Sequence, residues 1–138
     1  MIRIPFRGDI LNMGLGIERG KDLLLHKLEA FYLNEIGLLT LNISLDKKEE
    51  KIYKVFKFLF ERGYPVRFSQ DTDFLRVQRK GFRKGEERTQ YLVKVVDEVS
   101  KEEMFKDLEL ASKIRKELVY AFVEDDIKFI GISRRTFP

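Results

Sequence analysis

The run LVYAFVEDDIKFIGIS, from Leu118 to Ser133, constrains the fold more than any other stretch. Two apolar segments of strand length flank only Glu124, Asp125 and Asp126. So short a polar break predicts a strand on each side and a tight acidic turn between them. Upstream, TQYLVKVV reads as another strand, and Ser100 with Glu103 caps a helix reaching about Lys116. Further back, Asp46 and Glu49 form an Asp-x-x-Glu capping signal. They open a helix carrying Ile52, Val55, Phe56, Leu59 and Phe60, which Gly63 stops. YPVRF and DFLRVQ follow as strands, with a basic loop after them. The order predicts a small mixed sheet with helices against it.

The preceding 45 residues read as a separate small lobe. MIRIPFRGDILNMGLGIERG, rich in β-branched residues and glycines, suggests short strands and turns. In KDLLLHKLEAFYLNEIG, residues Leu24, Leu25, Leu28, Phe31, Tyr32 and Ile36 recur at helical spacing before Gly37. LLTLNIS is expected to be a short strand. The predicted organisation is α/β (α+β): a small N-terminal α/β domain over 1–45 and a C-terminal mixed-sheet domain flanked by helices over 46–138.

Composition excludes several kinds of chemistry. No cysteine is present, so disulfides, thiolate zinc sites and a cysteine nucleophile are ruled out. A single histidine, His26, argues against a metal site, and no cofactor motif is visible. GLG at 14–16 with Gly20 fits neither the dinucleotide nor the Walker spacing, so these read as turn glycines. His26 has no sequence neighbour suited to orient it for catalysis and reads as a packed or surface residue. No apolar run approaches the ~20 residues that cross a bilayer, and no signal-peptide pattern opens the chain. A soluble, cytoplasmic protein is expected. Twenty-seven Lys and Arg against 23 Asp and Glu give a net charge of +4, which permits a polyanionic partner without demanding one.

Local charge is more telling. Arg76, Arg79, Lys80, Arg83, Lys84 and Arg88 fall within thirteen residues that run from DFLRVQ into the basic loop, with Phe82 among them. Such a loop suits phosphate contact with base stacking, and equally a solvated hairpin tip. Lys113, Arg115 and Lys116 complement the dipole at a helix C-terminus. Glu124, Asp125 and Asp126 suit a plain hairpin tip, or a contact with a basic pocket on a partner.

The second lobe resembles the C-terminal domain of the tRNA-splicing endonuclease family. The resemblance lies in YKVFKFLFERGYPVRF, DFLRV, TQYLVKV and ASKIRKELVYAFVEDDIKFIGISR, in that order over about 85 residues. LHKLEAFYLNEIGLLTL also looks like the family's N-terminal domain. The resemblance implies metal-free cleavage of precursor tRNA at bulge-helix-bulge sites, leaving a 2′,3′-cyclic phosphate, with Tyr, His and Lys as the working groups. Here the tyrosine position holds Val77, the histidine position Arg88 and the lysine position Lys116. Valine has no ionisable proton, and arginine cannot shuttle one near neutrality. Each proton-transfer group is worth about 10²–10⁴-fold. The resemblance therefore implies a non-catalytic, structural subunit that joins a catalytic subunit in a two-plus-two heterotetramer. It further implies that Glu124, Asp125 and Asp126 dock into a basic pocket of that partner. The strand with Ile127, Phe129 and Ile130 would pair edge to edge across a dimer interface. A self-sufficient nuclease with a rearranged site and a basic RNA-binding module remain as alternatives.

Overall fold

A computed structural model describes residues 1–69, 73–80, 90–135 and 137. The chain divides into two compact units, Met1–Tyr53 and Lys54–Pro138. The division falls inside a helix, α3 below.

The first unit begins with β1 (Ile2–Pro5), a short helix α1 (Gly8–Asn12), β2 (Ile17–Arg19), β3 (Asp22–Leu25) and α2 (Lys27–Glu35). β3 lies between β1 and β2 and is antiparallel to both. The predicted helix over KDLLLHKLEAFYLNEIG is therefore a strand followed by a helix. Leu23 and Leu25 are buried while Asp22 and Leu24 are half-buried, the alternation of a strand with one face on the core. His26 ends the strand and caps the helix. Its Nδ1 accepts from the Leu28 N–H at 3.1 Å, while its own N–H donates to Glu29 Oε1 at 2.9 Å. Glu29, itself buried, also accepts from the Gly16 N–H through Oε2 at 3.1 Å. The GLG segment is thus a turn tied to the helix start, as its spacing predicts. Gly16 has φ 78, and a Cβ there would lie 2.9 Å from Leu23 Cγ. Helix α1 lies in a segment whose composition suggests only strands and turns.

Gly37 closes α2 as expected, with φ 85 and bonds from Gly37 N–H to Asn34 O and from Leu38 N–H to Leu33 O. LLTLNIS is not a strand. Its backbone is drawn back onto the end of α2: Leu39 N–H donates to Leu33 O, and the Asn34 amide bonds both N–H and C=O of Leu41. Local partners take groups that a ladder would have needed.

Helix α3 (Lys47–Glu61) has the reciprocal box expected from Asp46 and Glu49: the Glu49 N–H donates to Asp46 Oδ1 at 2.8 Å, and the Asp46 N–H to Glu49 Oε1 at 3.1 Å. Gly63, at φ 91, ends it. Strands β4 (Val66–Phe68), β5 (Phe74–Val77), β6 (Tyr91–Val95), β7 (Glu117–Val123) and β8 (Ile127–Ile132) form one sheet in sequence order. Every pair is antiparallel except β6 with β7, which are parallel and joined through α4 (Lys101–Lys113). The Ser100 hydroxyl caps α4, accepting from the Glu103 N–H at 3.1 Å.

Both faces of this sheet are covered. Phe74, Leu92, Leu118 and Tyr120 pack with Leu108 and Ala111 of α4. On the opposite face Phe68 meets Phe56 of α3 with ring centroids 5.1 Å apart, and Phe129 meets Phe58 at 5.6 Å. Under α4, a polar cluster interrupts the apolar layer. The Lys94 ammonium lies 3.2 Å from Glu103 and 3.3 Å from Asp107, and the Tyr120 hydroxyl donates to Asp107 at 2.7 Å. Every buried polar group in this cluster has a partner, as a low-dielectric interior requires. No helix among the described residues is long and apolar enough to cross a membrane.

Candidate functional site

Strand register brings distant parts of the sequence to one end of the five-stranded sheet. Tyr91, the first residue of β6, is opposite Val77 of β5 on one side and Glu117 of β7 on the other. Backbone bonds continue this rung: Gln90 N–H donates to Val77 O, and Glu117 N–H to Gln90 O, both at 3.0 Å. Val77 and Glu117 are two strand spacings apart, roughly 10 Å. Lys116 immediately precedes β7. Arg88, two residues before Gln90, lies outside the described residues, as do Arg83 and Lys84.

Val77 is only 2% exposed. It shares a sheet face with its cross-strand neighbour Val66. The position is an apolar packing site. Gln78, next along, is buried as well and hydrogen-bonded. Lys116 is half-buried and ends a tight turn. Its N–H returns to Ala111 O at 2.9 Å, and Arg115 before it has φ 54. A left-handed backbone is disfavoured for a residue with a Cβ, so the turn sets the start of β7 at some local cost. Lys113 stands in the last turn of α4, as the dipole reading requires.

Arg76, Arg79 and Lys80 are exposed. Glu124, Asp125 and Asp126 are exposed too, and the turn is closed by a Glu124 N–H bond to Asp126 O at 3.0 Å. None of the three carboxylates has an ion pair or side-chain hydrogen bond among the described residues. β8 is an edge strand. Its alternate residues divide: Phe129 turns to Phe58 within the chain, while Ile130, on the opposite face, is 48% exposed.

Residues 50–129, more than half of the chain, match the family model described as tRNA intron endonuclease, catalytic C-terminal domain. The chain belongs to the tRNA intron endonuclease family. It is also 33% identical over 135 residues to a tRNA-splicing endonuclease of Pyrococcus furiosus, covering 84% of this chain and 77% of that protein. The family match begins inside α3 and ends inside β8, so it takes in the whole Val77–Tyr91–Glu117 rung. The matched span also contains Arg88 and Lys116, the positions at which the sequence resemblance leads one to expect the family's His and Lys, as it leads one to expect Tyr at Val77. Tyr91 leaves one phenol on the rung. It is half-buried and without a hydrogen bond among the described residues.

Proposed function

We propose that this tRNA intron endonuclease homologue is a structural, non-catalytic subunit that assembles with a catalytic homologue to remove introns from precursor tRNA. The observation that carries this reading is Val77. The position expected to take the 2′-hydroxyl proton is an aliphatic side chain packed inside the sheet, and the partner position is an arginine. Transesterification needs a base for that proton and an acid for the leaving 5′-oxygen. A lone Lys116 can steady a developing negative charge, but charge stabilisation does not replace two proton transfers.

The subunit's contributions would be geometric. The exposed triad Glu124, Asp125 and Asp126 is suited to a basic pocket on the catalytic partner, where charge complementarity fixes register. The open edge of β8, with Ile127 and Ile130, is suited to strand pairing across an interface. A two-plus-two heterotetramer would use both. The basic segment at Arg76, Arg79 and Lys80 would hold RNA backbone near the partner's cutting site, without metal or cofactor in the chemistry.

Tyr91 sustains a second reading, a self-sufficient nuclease with a rearranged site, because it puts a phenol on the rung opposite Glu117, the residue after Lys116. Cleavage of an intron-containing precursor tRNA in chelator by the purified chain, by a catalytic homologue and by their mixture tests both. The structural-subunit reading expects no product from the chain alone and a gain on mixing. Cleavage by the chain alone that Tyr91→Phe abolishes would establish the second.

A further inference from the structure

One rung of the second sheet places two arginines directly opposite each other. Arg67 of β4 pairs with Arg76 of β5. The register is fixed on both sides by backbone bonds, Gln78 N–H to Pro65 O at 3.0 Å and Ser69 N–H to Phe74 O at 3.4 Å. Directly opposed residues of an antiparallel pair have Cβ atoms about 5 Å apart, and like charges at that spacing repel. Both side chains are exposed, and among the described residues neither has an ion pair or hydrogen bond. They share the sheet face that α4 covers further along. There Phe74 is packed under α4, and Lys94 is already balanced by Glu103 and Asp107. No acidic group among the described residues comparably answers the two guanidiniums. Cross-strand pairing usually sets opposite charges or apolar groups together, so this rung gives up folding stability and gains a fork of donors.

We propose that Arg67 and Arg76 form a phosphate clamp for the backbone of the precursor RNA, an inference that rests on the RNA substrate named above. A phosphodiester offers two non-bridging oxygens, and a guanidinium bonds such oxygens in a planar, bidentate manner. Two guanidiniums held on adjacent strands are pre-ordered for one phosphate or for neighbouring phosphates. Arg79 and Lys80 add further positive charge just past the end of β5. Base identity plays no part, so the clamp positions RNA rather than selecting sequence.

The test is binding of a bulge-helix-bulge RNA to the full chain across a salt series, alone and with a catalytic homologue. Arg67→Gln/Arg76→Gln is compared with Lys101→Gln/Lys106→Gln, which removes equal charge elsewhere. The clamp predicts that the first variant flattens the plot of log affinity against log salt by about 0.7–0.9 for each phosphate it no longer neutralises, with a melting temperature equal to or above the parent's. The control should keep the parent slope. Arg67→Lys/Arg76→Lys should keep most of the slope while binding more weakly, because charge persists without the fork. An unchanged slope in the first variant, or equal flattening in the control, overturns the clamp. So does loss of assembly with the homologue at an unchanged RNA slope, which would assign the pair to an acidic protein surface. Binding, not cleavage, is read. A chain that cuts precursor tRNA unaided would therefore refute the structural-subunit reading and leave this one standing.

Discussion

Val77 is 2% exposed and fills space between β5 and its neighbours, so placing a tyrosine there is not a neutral change. Val77→Tyr is expected to destabilise the fold by about 1–3 kcal/mol through overpacking, read as a lower urea midpoint, and to produce no cleavage by itself. Measurable cleavage by that single variant would show that the remaining site is far more complete than Lys116 alone. At the other end of the chain His26 is a pH-sensitive cap. Burial lowers its imidazole pKa below the ordinary value near 6.5, against the pull of Glu29. The unfolded chain therefore holds a proton that the folded chain releases. Stability is complete above about pH 6.5 and falls as pH drops through the folded value, by at most about 1.4 kcal/mol per pH unit. His26→Asn keeps a side-chain acceptor at the cap and should remove that component of the acid dependence in thermal melts between about pH 5 and 7.5. An unchanged acid slope would mean that His26 is not the group responsible.

At the scale of elements, α4 is held to the sheet by the Lys94, Glu103, Asp107 and Tyr120 cluster. Tyr120→Phe removes a 2.7 Å donor to a buried carboxylate and should cost about 1.5–3 kcal/mol in denaturant unfolding. Burial, then the bond to Asp107, holds the Tyr120 phenol well above its ordinary value. Burial alone would lower Lys94, but bonds to Glu103 and Asp107 outweigh it and raise it. Both raised values mean stability that persists below about pH 10 and is lost as pH rises through the folded values. Tyr120→Phe should shed the phenol's share of that alkaline loss; an identical profile would refute it. Helices α3 and α4 are legible in the sequence because their signals are local: Asp46 with Glu49, Gly63, and Ser100 with Glu103. The closing hairpin is legible for the same reason. Two elements mislead. Leu24, Leu25 and Leu28 fit a helical period although Leu23 and Leu25 alternate in β3, and only the His26–Glu29 cap marks the change. LLTLNIS has strand composition, yet Asn34 and Leu33 capture its backbone. These are bonds to the helix end six and seven residues back, which strand propensity does not encode.

At the scale of the whole molecule, the parallel step from β6 to β7 through α4 joins Val77, Tyr91 and Glu117 on one rung. The candidate site's residue types are readable from the family resemblance, which locates Val77, Arg88 and Lys116 in the sequence. The approach of Val77 to Glu117 across strands is not, and neither is Arg67, whose opposition to Arg76 exists only once the register is known. The exposed carboxylates of the β7–β8 turn bear on assembly. Asp125→Lys/Asp126→Lys should leave the melting temperature within a few degrees of the parent, since these side chains have no partner among the described residues. The same variant should abolish co-elution with the catalytic homologue in size-exclusion chromatography, and retained co-elution would remove the turn from the interface. The most direct test remains cleavage of an intron-containing precursor tRNA in chelator by the chain alone, by the homologue alone and by both together. A structural subunit should give no product alone, and cleavage on mixing well above that of the homologue. Intron release by the chain alone, at a rate the homologue does not increase, would contradict that role.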